Sequence, residues 1–157
     1  MSRKLMMLVL MPLLAACSGK PPADLGLHDG LLASCGSAPN CVSSQAQDKK
    51  HYVEPLSFTV AADISRHALL EVLAQMPGAK IVAEEPLYLR AEFMSKTMKF
   101  VDDVELLIDP LSGIIHVRSA SRLGYSDMGV NRKRVEEIRK RLAATLEPAS
   151  TAATSRD

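Results

Sequence analysis

Apolar residues recur at helical spacing through Ile64, Ala68, Leu69, Val72, Leu73 and Met76, until Pro77-Gly78 stops the run. With Asp63 as N-cap, this predicts an amphipathic helix that buries one stripe. The period then changes from helical to two. Lys80–Glu84, Leu87–Met94, Val101–Asp109 and Ile114–Ser119 predict four strands joined by short turns, with Leu56–Val60 a short strand ahead of the helix. Leu87, Leu89, Ala91 and Phe93 fall on one face, and Tyr88, Arg90 and Glu92 on the other. A second helix is predicted to begin between Asp127 and Asn131, with Val135, Ile138, Leu142 and Leu146 as its apolar stripe. The order helix, four strands, helix predicts an α+β two-layer sandwich: an antiparallel sheet of about four strands with two helices packed on one face.

The turn Asp109-Pro110-Leu111-Ser112-Gly113 is a strong hairpin signal. A four-residue loop at Asp109–Ser112 sets Val104 opposite Val117 and Leu106 opposite Ile115. It also sets Glu105 opposite His116 and Asp103 opposite Arg118. A slip of one residue would mix apolar and charged side chains on both faces. The sheet is therefore expected to have an apolar face under the helices and an ionic face carrying Arg90, Glu92, Asp103, Glu105, His116 and Arg118. Antiparallel sheets often leave such a face wet, with cross-strand pairs worth roughly 0.2–1 kcal/mol each.

The chain's ends carry a different message. Ser2-Arg3-Lys4 is basic, and Leu5–Ala16 is an apolar run of about a dozen residues, short of the roughly 20 a membrane-spanning helix needs. Residues 1–16 thus read as a secretory signal peptide. Leu14-Ala15-Ala16-Cys17 resembles a bacterial lipobox, which makes Cys17 the expected lipid-bearing residue. Ser18 after it is typical of sorting to the outer membrane. Several acyl chains, at about 0.8 kcal/mol per buried methylene, would anchor the chain firmly. Residues 17–30 are expected to be a lipid-anchored tether, 31–146 a single domain, and 147–157 a disordered tail rich in Ala, Ser and Thr. The expected location is the bacterial cell envelope, facing the periplasm.

Loss of residues 1–16 leaves 17 basic against 18 acidic side chains. That balance argues against a nucleic-acid partner. With no tryptophan and few aromatics, the core must be built from Leu, Val, Ile, Ala and Met. Once Cys17 is lipidated, Cys35 and Cys41 remain as an even pair around Gly36-Ser-Ala-Pro-Asn40, and an oxidising compartment favours a disulfide between them. His28, His51, His67 and His116 have no ligand spacing. No metal, cofactor or phosphate-loop signature is present.

Candidate chemistry gathers between Arg118 and Arg134. Arg132, Lys133 and Arg134 crowd a helix start, whose partial positive charge favours acidic residues instead. Two arrangements suit these cations. In one, Arg118, Arg122, Asn131, Arg132 and Arg134 form an anion site, with guanidinium forks and free N–H groups holding a phosphate or carboxylate. In the other, Asp102, Asp103, Glu105, Ser119, Ser121 and Asp127 neutralise them in an internal network. A hydrolase built on Ser119, His116 and Asp103 is disfavoured, because residues 116 and 119 point to opposite faces of one strand. Ser43 or Ser44 with His51 is the remaining pairing. Arg132–Arg141 forms an outward basic stripe suited to an envelope protein or an anionic lipid surface, while an anionic small molecule would be the partner of the anion site.

Three segments, Asn40-Cys-Val-Ser-Ser-Gln45, Phe100-Val-Asp-Asp-Val-Glu105 and the Arg118–Arg134 stretch, together resemble the family called domain of unknown function 1499. The similarity covers roughly Leu31–Leu146. It implies a secreted, lipid-anchored or organellar protein, and it brings no reaction, ligand, cofactor or catalytic residue with it. Gly36 stands where the family would have proline, which leaves the cysteine pair intact within a less rigid loop. The combined expectation is a non-catalytic envelope lipoprotein with a binding or structural domain; the alternative is a small hydrolase or an anion-binding protein.

Overall fold

The computed structural model describes residues 19–147; the expected signal peptide, Cys17 and the tail beyond Glu147 lie outside the described residues. Strands β1 (Leu27–His28) and β2 (Leu31–Leu32) form a small ribbon of their own. Next come β3 (Cys41–Ser43), β4 (Leu56–Ser57) and helix α1 (Ala62–Gln75). An antiparallel meander follows, made of β5 (Ala79–Glu84), β6 (Tyr88–Met94), β7 (Val101–Asp109) and β8 (Ile114–Ser121). Helix α2 (Val130–Leu146) closes the fold.

The α+β class is as expected, but the main sheet has six strands, ordered β3-β8-β7-β6-β5 with β4 also paired to β8. The two additional pairings use the free edge of β8: β3 lies against Arg118–Ala120 and β4 against Ile114–Ile115. The short strand expected at Leu56–Val60 is present but only as Leu56–Ser57, while β3, three residues long, is too short to carry a period-two signal and was not expected.

One face of the sheet presents Leu89, Ala91, Val104, Leu106, Ile108, Ile115 and Val117 to both helices. From α1 it receives Ala68, Leu69, Val72 and Leu73, and from α2 Val135, Ile138 and Leu142. Ile64, expected in the α1 stripe, is instead 53% exposed, and the buried residue in that first turn is Ser65. The helix begins one residue before Asp63, which sits in the first turn, and Ala61 is the N-cap. Two residues past the C-cap Met76, Gly78 turns the chain into β5 with φ +79°, and a Cβ there would run into the carbonyl oxygen of Met94. Only glycine meets both demands.

The β7–β8 register is displaced by two residues from the expected one. The loop is Pro110–Gly113, with Gly113 at φ 66° donating its N–H to the Asp109 carbonyl at 3.1 Å. Leu106 therefore faces Val117, Glu105 faces Arg118, Leu107 faces His116 and Asp103 faces Ala120. An even displacement preserves which face each side chain occupies and changes only its partner. Hydrophobic patterning constrains the parity, and the turn fixes the rest.

The ionic face is not wet. Asp103 and Glu105 are 1% and 0% exposed, and Arg118 is 6% exposed. Their cover includes part of the segment expected to be a tether. The Gly26 N–H donates to Glu105 Oε1 at 2.7 Å, and the Arg122 guanidinium reaches the Gly19 carbonyl at 3.5 Å. Residues 19–32 thus run as a strap across the sheet face opposite the helices.

Candidate functional site

The eleven polar residues singled out between Asp102 and Arg134 do not share one site. Alternation along β7 and β8 sends them to opposite sides of the sheet, and each set makes its own network.

On the strap side, Glu105 is the hub. Its Oε2 accepts from Arg118 Nη1 at 2.9 Å, and its Oε1 accepts from the Tyr88 hydroxyl at 2.8 Å as well as from Gly26. Burial first, then the hydrogen bond to Glu105, pushes ionisation of the Tyr88 phenol far above the ordinary tyrosine range. Asp103 is clasped by Arg122 through Nε at 2.7 Å and Nη2 at 2.9 Å, and by Arg90 Nη1 at 2.9 Å. Arg122 also reaches Glu92 at 2.5 Å. The bond to Asp103, aided by Glu92, holds the Arg122 guanidinium charged against the opposing effect of burial. Arg118 lies 3.7 Å from Asp24 of the strap, and its buried Nε has no partner among the described residues.

On the helix side, Asn131 is the hub. Fully buried in the first turn of α2, it accepts from Ser119 Oγ at 2.5 Å and Arg134 Nη1 at 2.6 Å. Its amide donates to the Asn40 carbonyl at 3.0 Å and to Ser121 Oγ at 2.9 Å. Arg134 pairs with Asp102 at 2.5 Å, while its guanidinium lies 4.8 Å from the centre of the Phe93 ring. Asn40 in turn donates to the Gly124 carbonyl at 2.6 Å and accepts the Ser121 N–H at 2.9 Å. The Asn40 segment, the end of β8 and the start of α2 are joined through these amides. The disulfide between Cys35 and Cys41, Cα atoms 5.6 Å apart, ties down the chain entering β3.

The cationic helix start is resolved by direction. Gly129, in the left-handed region, is the N-cap, and no acidic residue lies in the first turn. Asp127 takes over, accepting from the amides of Asn131 at 2.7 Å and Gly129 at 2.9 Å. Burial works to raise the Asp127 pKa, but these amide hydrogen bonds outweigh it and hold the carboxyl below its ordinary value. Arg132 turns away to the carbonyls of Tyr52 (2.7 Å) and Lys50 (2.9 Å). Arg139, also expected to face outward, donates to the carbonyls of Pro55 and Glu54, each at 2.7 Å. The supposed basic stripe partly serves to bind the 50–55 segment.

The nucleophile candidates fall apart in the same way. Ser119 is on the helix side and His116 on the other, and the buried Ser43 Oγ accepts the Gln45 N–H at 3.1 Å. His51 is held by Asp48 at 2.9 Å and the Ala38 carbonyl at 3.1 Å. A different pair does form: Ser44 Oγ lies 3.3 Å from His116 Nδ1 while accepting the Val117 N–H at 2.9 Å. Patterning could not find it, because it depends on β3 packing beside β8. Tyr88, Arg90, Glu92, Asn40 and Gly26 were likewise missed as network members. Only the sign of the charge ladder pointed towards Arg90 and Glu92.

These features define a class: a two-layer α+β domain with an ion network on each side of its sheet, one beneath the helices and one beneath an N-terminal strap. The chain belongs to the family described as "Protein of unknown function (DUF1499)", whose model matches residues 31–142. Both networks lie mostly within that span, whereas residues 19–30 of the strap precede it. Neither the comparison with curated proteins nor that with solved structures gave a match.

Proposed function

We propose that this protein is a lipid-anchored envelope protein, acylated at Cys17 and periplasm-facing, whose domain is a non-catalytic binding or structural module. The observation that supports a structural role for the Arg118–Arg134 motif is that every guanidinium in it already has protein acceptors: Glu105 for Arg118, Asp103 and Glu92 for Arg122, main-chain carbonyls for Arg132, and Asp102 with Asn131 for Arg134. An anion would have to displace carboxylates from Arg118, Arg122 and Arg134 and main-chain carbonyls from Arg132, which leaves the expected anion site as the weaker reading. The lipobox-like Leu14–Cys17 and the Cys35–Cys41 disulfide support export to an oxidising compartment. Metabolic labelling with a palmitate analogue in a Gram-negative host tests the anchor. Label on the wild type and none on Cys17→Ala is expected; an unlabelled wild type would sink it.

A small hydrolase is favoured by one observation, the Ser44–His116 contact. Histidine can act as a base only if the serine is open to substrate. Covalent capture by a fluorophosphonate probe, abolished in Ser44→Ala, would establish that reading. Absence of labelling at millimolar probe would remove it.

A further inference from the structure

We propose that one end of the domain, made by the 95–100 turn and the 122–130 loop, docks onto an anionic lipid bilayer. This deepens the reading of a Cys17 lipid anchor and rests on it in part.

Strand pairing brings the two segments together. Met94 pairs with Val101 and Asp102 with Ser121, so the β6–β7 turn and the loop leaving β8 emerge from the same end of the sheet. Here the protein exposes Met98 (62%), Tyr125 (73%) and Met128 (90%), together with Phe100, Leu123 and Val130. A groove of about 400 Å³ runs between the turn and the start of α2, with Phe93, Met94 and Val130 among its walls and Lys96 and Lys133 along it. Concentrated apolar exposure of this kind marks an interaction surface.

Charge and connectivity select the partner. Lys96, Lys99 and Lys133 are exposed at this end. The nearby acids are already engaged: Glu92 by Arg122, Asp102 by Arg134, Glu137 by Arg141, and Asp127 by the amides of Gly129 and Asn131. Apolar side chains mixed with lysines, and a tyrosine among them, suit the headgroup layer of an anionic membrane. The chain enters the fold at the same place. Gly19 packs so closely on Arg122 and Leu123 that an added Cβ would lie 3.1 Å from Arg122 Cβ and 3.2 Å from Leu123 Cγ. Cys17 is two residues earlier, and two residues of extended chain reach no more than about 7 Å. A lipid on Cys17 would therefore enter the bilayer beside this end of the domain and no other.

Backbone conformation adds an independent sign. Lys99 and Met128 occupy the left-handed region, at φ 56° and 54°. Glycine or asparagine would sit there with less strain. A methionine held in that conformation with its side chain in solvent contributes nothing to the core, which is the pattern of a side chain kept for an outside contact.

The chain has no tryptophan, so a single introduced one reports its own surroundings. The full protein carrying Tyr125→Trp, or Leu111→Trp in the fully exposed β7–β8 turn at the opposite end, is isolated from the envelope. It is then reconstituted into phosphatidylethanolamine–phosphatidylglycerol vesicles with brominated acyl chains. Emission at 125 should be quenched several-fold more than at 111. The difference should shrink when Lys96, Lys99 and Lys133 are changed to Glu, and in phosphatidylcholine alone. Met128→Gly should raise the melting temperature yet weaken quenching at 125. Intact mass reads the lipid separately. Quenching at 125 without acylation keeps the docking face and removes the anchor. An acylated chain with equal quenching at both positions, or with quenching indifferent to the lysines, overturns the docking face and leaves the anchor standing.

Discussion

Glu105 on β7 accepts the main-chain N–H of Gly26 at 2.7 Å, a contact across 79 positions of sequence that seals the strap over the sheet. The same carboxylate holds Arg118 and Tyr88, so one side chain joins the strap, β6 and β8. A buried ion pair of this sort adds little over an apolar pair, yet breaking it is costly because a charge is left behind.

Glu105→Gln keeps the shape and removes the charge, leaving the Arg118 guanidinium buried beside only Asp24 at 3.7 Å. Stability in urea should fall by about 3–5 kcal/mol. Amide exchange at Gly26 should accelerate more than exchange in α1. A loss under about 1 kcal/mol would mean that the strap network relaxes to water at little cost.

Asn131→Ala should destabilise the protein without altering its secondary structure. It leaves the buried Ser119 hydroxyl without an acceptor for its proton and takes one acceptor from Arg134 and one of two donors from the Asn40 carbonyl, at about 1–3 kcal/mol for each buried group left unsatisfied. Asn131→Asp keeps the acceptor for Ser119 and Arg134 but loses the donors to the Asn40 carbonyl and Ser121 Oγ, and should fall between the two. Thermal melts of the three proteins check the order.

Stability should depend on Asp127 at the acid end. Its folded pKa is depressed, so its contribution is present above the unfolded value of about 3.9 and is lost as pH falls through the folded value. Asp127→Asn should flatten the stability curve in that window and leave it parallel to wild type above about pH 5. Tyr88 sets the opposite limit. Its raised pKa gives a contribution present below about pH 10 and lost as pH rises towards the folded value, a loss that Tyr88→Phe should abolish.

Reducing the Cys35–Cys41 bridge should lower stability by about 2 kcal/mol, the low end expected for so short a loop. The effect should concentrate at β3, since Cys41 pairs with Ala120 and the adjacent Asn40 carbonyl serves both Ser121 and Asn131. Exchange at Ser121 should rise on reduction while exchange at Leu106 stays slow. Uniform acceleration would show instead that the bridge acts only on the unfolded chain.

By itself the sequence determined the helix stripes, the four meander strands and the parity that divides β7 and β8 into two faces. These are local: period and turn residues act within a few positions of one another. The same parity was enough to separate His116 from Ser119. Tertiary structure decided the rest. It set the hairpin register two residues along, added β3 and β4 to the edge of β8, and laid residues 19–32 over carboxylates that alternation alone assigned to water. It also split a motif continuous from Arg118 to Arg134 between two networks on opposite sides of the sheet. Sequence distance carries no information about such contacts, because a buried charge takes whichever partner the closed fold brings within hydrogen-bond reach.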